Sequence, residues 1–153
     1  LIYREEEREM HPYCEAEGIA VTPWSPLARG VLTGSYKGGF DKGGTKRSQG
    51  GDAERAMSLY RGDMEFDIVD RVAEVAEKRG HSSAQIALAW MLSKPVITSP
   101  VIGVSKIEQL EQLIAATKIT LSDDDIAYLE ELYRPVANIL DDEKPRSVMV
   151  KKD

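Results

Sequence analysis

Two short apolar segments, each set between helical patterns, constrain the fold of this chain most strongly. They are "IAVTPW" at 19–24 and "VITSPVIG" at 96–103. Neither alternates strictly between apolar and polar residues, which is typical of a strand that is buried on both faces. Helices before, between and after two such strands indicate parallel β–α units. The sequence therefore predicts an α/β fold, either a doubly wound sheet or part of a (β/α)8 barrel.

Apolar spacing and end signals predict the first helices. Residues 4–17 place Met10, Tyr13 and Cys14 on one face, with Gly18 as a left-handed cap and Pro12 limiting the first turns. Residues 65–79 show the same spacing and stop at Gly80. We expect Cys14 to be a buried helix residue.

Three further helices are predicted from capping boxes, in which a Ser is followed three residues later by a Gln, Glu or Asp. The pairs are Ser82 with Gln85, Ser105 with Glu108, and Ser122 with Asp125. The apolar faces expected on these helices are Ala84, Leu88, Met91 and Leu92; Ile107, Leu110 and Ile114; and Ile126, Leu129, Leu132 and Tyr133.

Residues 34–51 hold seven of the twelve Gly residues and no apolar periodicity, which predicts a surface loop. A tolerated insertion and a lid over a ligand are both open interpretations. The body of the fold is expected to span 1–135, with a polar surface tail at 136–153.

Charge and cysteine content exclude several classes of function. The net charge of −6 opposes binding to nucleic acid and to anionic lipid. No apolar stretch is long enough to cross a membrane, and the single Cys14 fits a reducing compartment, so we expect a cytoplasmic protein. Neither His11 nor His81 has a metal-ligand partner at useful spacing; His81 is expected to be exposed before a helix cap.

The turn after "VITSPVIG" has the residue types of a phosphate site. Gly103 permits close backbone approach, and Ser105 and Lys106 stand at the start of a helix whose free N–H groups attract an anion. Gln109 and Gln112 follow on that helix. The alternative is that Ser105 only caps the helix and Lys106 is solvated.

The turn after "IAVTPW" pairs an aromatic residue with small polar groups. Trp24 can stack on a heteroaromatic ring, although core packing is the commoner role of a Trp. Ser25, the N–H groups of 27–30 and the side chain of Arg29 can meet a diphosphate.

Three stretches together resemble the C-terminal half of the aldo-keto reductases, over residues 1 to about 135. They are "YREEEREMHPYCEAEGIAVTPWSPLARGVLTG", "SSAQIALAWMLSKP" and "SPVIGVSKIEQLEQLIAAT". The resemblance implies the C-terminal portion of a (β/α)8 barrel, incomplete in this chain, from an NADPH-dependent oxidoreductase that reduces aldehydes and ketones to alcohols.

The resemblance also assigns cofactor-binding residues. Trp24 matches the aromatic residue that stacks on nicotinamide, and Ser25, Leu27 and Arg29 match the segment around the diphosphate. The family's turn that holds the 2′-phosphate of NADPH matches Gly103, Ser105 and Lys106 here, with Gln109 and Gln112 on the adenosine side. The loop from Gly34 is expected to fold over the cofactor.

The chain departs from the family pattern in two places. Leu113 replaces an Asn that contacts adenine in many members. The family's catalytic Tyr, Asp, Lys and His belong to the first half of the barrel, and Tyr3, His11 and His81 match none of them. We therefore expect the isolated chain to be inactive, with the missing barrel half or a second copy as partner. The alternative is a non-enzymatic dinucleotide-binding or partner-subunit module, related to the potassium-channel β subunits of this family.

Overall fold

A computed structural model describes residues 1–36, 51–60 and 63–136 of the chain. The α-helices in these ranges are α1 (Met10–Ala16), α2 (Gly51–Leu59), α3 (Asp63–Arg79), α4 (Ser83–Leu92), α5 (Ile107–Ile114) and α6 (Asp123–Glu130). Short 3-10 helices lie at Glu5–Glu7, Ala28–Thr33 and Ala115–Lys118. Most of the predicted 34–51 loop and all but Val136 of the predicted tail lie outside the described residues. Helix α2 was not predicted.

The two apolar segments run parallel, as predicted, but they do not form continuous strands. They meet in two isolated parallel bridges, Val21 with Ile97 and Trp24 with Val101. The Val101 N–H donates to the Pro23 carbonyl at 2.8 Å. The prediction that both segments are buried on both faces is wrong, because 69% of Trp24 and 57% of Val101 are exposed.

The main apolar core lies where α3, α4 and α6 pack together. Ile68 and Val72 of α3, Ile86 of α4 and Leu129 of α6 are each completely buried. Helix α4 is buried over five consecutive residues, 86–90. The one-sided face predicted for α4 is therefore wrong, because α3, the 28–33 turn and the 115–118 turn contact the helix on different sides.

Two of the three predicted capping boxes are confirmed. Gln85 N–H donates to Ser82 Oγ at 3.3 Å while Ser82 N–H donates to Gln85 Oε1 at 3.0 Å. Ser122 and Asp125 form the same reciprocal pair at the start of α6. The box predicted for Ser105 and Glu108 is wrong: α5 begins after Lys106, which is extended and makes no side-chain cap.

The helix predicted over 4–17 is divided into a 3-10 turn and α1. Pro12 lies in the first turn of α1, and its ring would clash with the carbonyl of Arg8 if the helix extended further back. Gly18 and Gly80 end α1 and α3 at φ of +65° and +69°, as the sequence predicts. Cys14 is the one buried residue of α1.

A polar network joins the N-terminal segment to α4 and α6. Glu130 accepts hydrogen bonds from Trp90 Nε1 at 2.7 Å and Lys94 Nζ at 2.5 Å, and pairs with Arg4 at 3.0 Å. Burial opposes ionisation of Glu130, but the bonds from Lys94 and Trp90 and the charge of Arg4 outweigh it, so its pKa is lowered. Burial, together with the hydrogen bond to Glu5, raises the pKa of Tyr133 to about 12. No described helix has both the length and the apolar character needed to span a bilayer.

Candidate functional site

The parallel bridges bring the two predicted turns to one edge of the molecule. Each segment leads directly into a turn, 24–30 from the first and 102–106 from the second. In parallel β–α folds ligands bind at this edge, where the chain leaves the strands. The geometry therefore places the two turns where a shared ligand site would lie.

The first turn has an unusual backbone. Ser25, Ala28 and Arg29 have φ values of 52°, 48° and 55°, and they are the non-glycine residues with positive φ in the described part of the chain. This region costs free energy for a residue with a Cβ, and such strain is concentrated at functional sites. Arg29 and Gly30 form a kink between two short 3-10 turns.

The backbone amides of this turn are partly used within it. Ala28 N–H donates to the Ser25 carbonyl and Gly30 N–H to the Leu27 carbonyl, both at 2.9 Å. The expectation that all four N–H groups of 27–30 meet a diphosphate is therefore wrong for these two. Their bonds instead stabilise the shape of the turn.

A cavity of about 810 Å³ lies between the first turn and the N-terminal ends of α4 and α5. We call it the interhelix cavity. Five of the nine predicted site residues line it, namely Leu27, Gly103, Ser105, Gln109 and Gln112. The remaining lining residues are Gly30, Thr33, Ser35, Ser82, Ser83, Ala84, Val104 and Leu113.

Ser105 presents two donors to one point of the interhelix cavity wall. Its N–H and its Oγ lie 3.1 and 3.3 Å from Oε1 of Gln109. Both residues are exposed. Two donors that converge on one oxygen are suited to an anionic oxygen as well, because a phosphate oxygen accepts the same bonds.

Trp24 and Ser25 line a second cavity of about 570 Å³, which we call the Trp24 cavity. Tyr3, His11 and Tyr60 also line it. Burial raises the pKa of Tyr60, and the nearby positive charge of Arg29 acts in the opposite direction. The Arg29 guanidinium therefore lies close enough to this cavity to influence its electrostatics.

The structure does not bring all nine predicted residues together. Arg29 and Lys106 line neither cavity. Lys106 is exposed in the residue just before α5. Of the nine predicted residues, five thus line the interhelix cavity, Trp24 and Ser25 line the Trp24 cavity, and the two cationic residues line neither.

Sequence reasoning missed the serine-rich side of the interhelix cavity. Ser82 and Ser83 belong to the start of α4, and Thr33 and Ser35 follow the first turn. Ser82 was recognised only as a cap. Its position some twenty residues before Gly103 gives no local signal that α4 begins beside the second turn.

No metal centre is found in the part of the chain that the structure describes. Those residues contain no group of three or more His, Cys, Asp or Glu side chains that could hold an ion. His81 is exposed immediately before the Ser82 cap, as predicted.

The Aldo/keto reductase family model matches residues 1–134. The chain belongs to the aldo/keto reductase family. A protein of Schizosaccharomyces pombe, whose name places it among the aryl-alcohol dehydrogenases, is 46% identical over 141 residues, covering 89% of this chain and 37% of that protein. Versiconal hemiacetal acetate reductase of Aspergillus parasiticus is 40% identical over 139 residues, covering 90% of this chain and 39% of that protein.

A third relative extends the same pattern. Norsolorinic acid reductase stcV of Emericella nidulans is 37% identical over 129 residues, covering 84% of this chain and 30% of that protein. The chain therefore spans well under half the length of these relatives. Family membership implies the (β/α)8 barrel as the architecture of the family.

Proposed function

We propose that this chain is the NADP-binding part of an oxidoreductase that reduces aldehydes or ketones to alcohols. The observation that carries the proposal is the interhelix cavity, because it joins the two turns that sequence reasoning separately assigned to one dinucleotide. Reductases among the relatives support the reaction class. Within a family that generally uses NADH or NADPH, a nicotinamide cofactor is the expected ligand.

The interhelix cavity fits the adenosine end of such a cofactor. Its volume of about 810 Å³ lies in the range of small-molecule sites. The paired donors of Ser105 would bind the 2′-phosphate in place of Gln109 Oε1. Lys106 stands next to them and would add a positive charge, and the start of α5 contributes its dipole.

The Trp24 cavity fits the nicotinamide end. Trp24 is 69% exposed, so its ring face is accessible to a planar ligand. Ser25 lies beside it in the strained turn, and Leu27 lines the neighbouring interhelix cavity. The turn would therefore lead from the nicotinamide end to the adenosine end.

The residues of this chain would bind and orient the cofactor but would not move the proton. When bound, NADPH supplies the hydride that a carbonyl carbon accepts. The alkoxide oxygen then needs a general acid, which the family resemblance assigns to a Tyr in the first barrel half. We therefore expect the 153-residue chain alone to reduce no simple aldehyde, and we propose the other barrel half as its partner.

Equilibrium titration of the chain with NADPH and with NADH tests the proposal. We expect tighter binding of NADPH, because only NADPH carries the 2′-phosphate. Lys106→Glu should remove this preference, since it places a negative charge beside the proposed phosphate position. Lys118→Glu is the matched control, as Lys118 is exposed and lines neither cavity.

The result can contradict the proposal in two ways. Absence of binding by both dinucleotides would remove the cofactor function from this chain. Binding with a preference that Lys106→Glu leaves unchanged would keep a dinucleotide site but place the phosphate elsewhere.

A further inference from the structure

The carboxamide of Gln85 connects the two helices that flank the interhelix cavity. On one side Oε1 accepts hydrogen bonds from the N–H and Oγ of Ser82 at 3.0 and 3.2 Å. On the other side Nε2 donates to the backbone carbonyl of Gln112 at 3.0 Å. One side chain therefore holds the start of α4 and the second half of α5.

Gln85 itself does not line the cavity, but its partners do. Ser82 and Gln112 are both lining residues, and they lie on opposite helices. Apolar packing also joins the two helices: Leu88 of α4 packs with Leu113 of α5 and with Ala116, and Ala84 of α4 packs against this cluster. Apolar packing fixes the separation of the helices but does little to fix their rotation or register, whereas a hydrogen bond to one carbonyl has a defined direction.

We propose that Gln85 is a positioning residue for the adenosine end of the cofactor. By binding Ser82 and the Gln112 carbonyl at once, it holds α5, and with it the Ser105 and Gln109 pair, at the distance from α4 that the adenosine group requires. This inference rests on the proposed function. Gln85 makes no contact with the ligand and acts through the cavity wall.

The chemistry requires an amide at this position. Glu retains an acceptor for Ser82 and is the other standard partner in a capping box, but it has no proton for the Gln112 carbonyl. Met has a similar size, no charge and neither function. Gln85→Glu therefore removes the hydrogen bond between the helices and keeps the cap, whereas Gln85→Met removes both.

Two measurements on the full chain test the inference, with Gln85→Glu, Gln85→Met and the control Ser122→Ala. The control removes the equivalent cap of α6, and no residue of α6 lines the interhelix cavity. The first measurement is amide hydrogen exchange without ligand, in which both Gln85 variants should speed exchange in 110–114 and the control should not. The second is the affinity for adenosine 2′,5′-bisphosphate, which both Gln85 variants should weaken about three- to tenfold and the control should leave unchanged.

Each outcome decides a different point. Faster exchange with unchanged affinity would make Gln85 a purely structural residue and overturn the inference. Weaker affinity in Gln85→Glu alone would reflect its added charge and would also overturn it. Failure of the parent chain to bind the bisphosphate would count against the proposed function itself, and the positioning role would fall with it, whatever the exchange result.

Discussion

The layer of α3, α4 and α6 and the pair of turns at 24–30 and 102–106 follow different rules. In the helical layer, apolar side chains such as Ile86 and Leu129 are completely buried, and α4 and α6 begin with reciprocal caps. In the first turn, Trp24 is 69% exposed and three non-glycine residues have positive φ, and Ile107, which directly follows the second turn, is 63% exposed. The first region is arranged for stability and the second retains accessible and strained groups, which is the usual division between a scaffold and a ligand site.

The largest difference between the two regions should appear when the same substitution is made in each. Ile86→Ala in the helical layer should lower the free energy of unfolding by about 3 kcal/mol, because it leaves a cavity among packed side chains. Ile107→Ala at the first residue of α5, directly after the second turn, should change it by less than about 0.5 kcal/mol, since that side chain is already in contact with water. Urea unfolding measures both, and equal losses would contradict the distinction.

A smaller effect is expected from the polar network on the edge of the helical layer. Glu130→Gln should lower the free energy of unfolding at pH 7 by about 1.5 kcal/mol, because the interactions with Arg4 and Lys94 lose their charge. The pKa of Glu130 is lowered in the folded state, so its contribution is present above the unfolded pKa and is lost as the pH falls through the folded value. The gap between parent and variant should therefore close in acid.

Glu131→Gln is the control for that experiment. Glu131 pairs with Arg71 but is 68% exposed, and an exposed pair contributes less than about 0.5 kcal/mol. A gap between parent and Glu130→Gln that persists unchanged at low pH would show that the network does not depend on the charge of Glu130.

The smallest effect on stability, and a specific effect on binding, is expected at Trp24. Trp24→Ala should leave the free energy of unfolding nearly unchanged and should weaken NADPH binding about three- to tenfold, through the loss of ring stacking. Tyr13→Ala is the matched control, because Tyr13 is 58% exposed and lines neither cavity. Equal effects of the two substitutions on NADPH binding would remove Trp24 from the site.

The ends of several helices could be predicted from the sequence because their signals are local. The Ser82 and Ser122 caps depend on a partner three residues away, and Gly18 and Gly80 fix their turns through their own φ. The capping box predicted for Ser105 and Glu108 is wrong for an equally local reason, because Ser105 N–H and Oγ bond to Gln109 instead. Helix α2 was not predicted because it begins at a glycine and has few buried apolar side chains. Among its side chains that the structure describes, the buried ones are the small residues Ala53 and Ala56.

The candidate site could be predicted only in part because its parts are distant in the chain. The two turns were recognised from their own residues and from the family resemblance. Ser82 and Ser83 were not, as only the packing of α4 against α5 brings them to Ser105. The exposure of Val101 and Trp24 was also unpredicted, because burial of a strand depends on its neighbours and not on its own pattern.

A crystal structure of the chain with bound NADPH is the decisive experiment for the proposed cofactor site. We expect the adenosine end to occupy the interhelix cavity, with an oxygen of the 2′-phosphate accepting the two hydrogen bonds that Ser105 now makes to Gln109. A structure in which Ser105 keeps its bonds to Gln109 while the dinucleotide lies outside this cavity would contradict it.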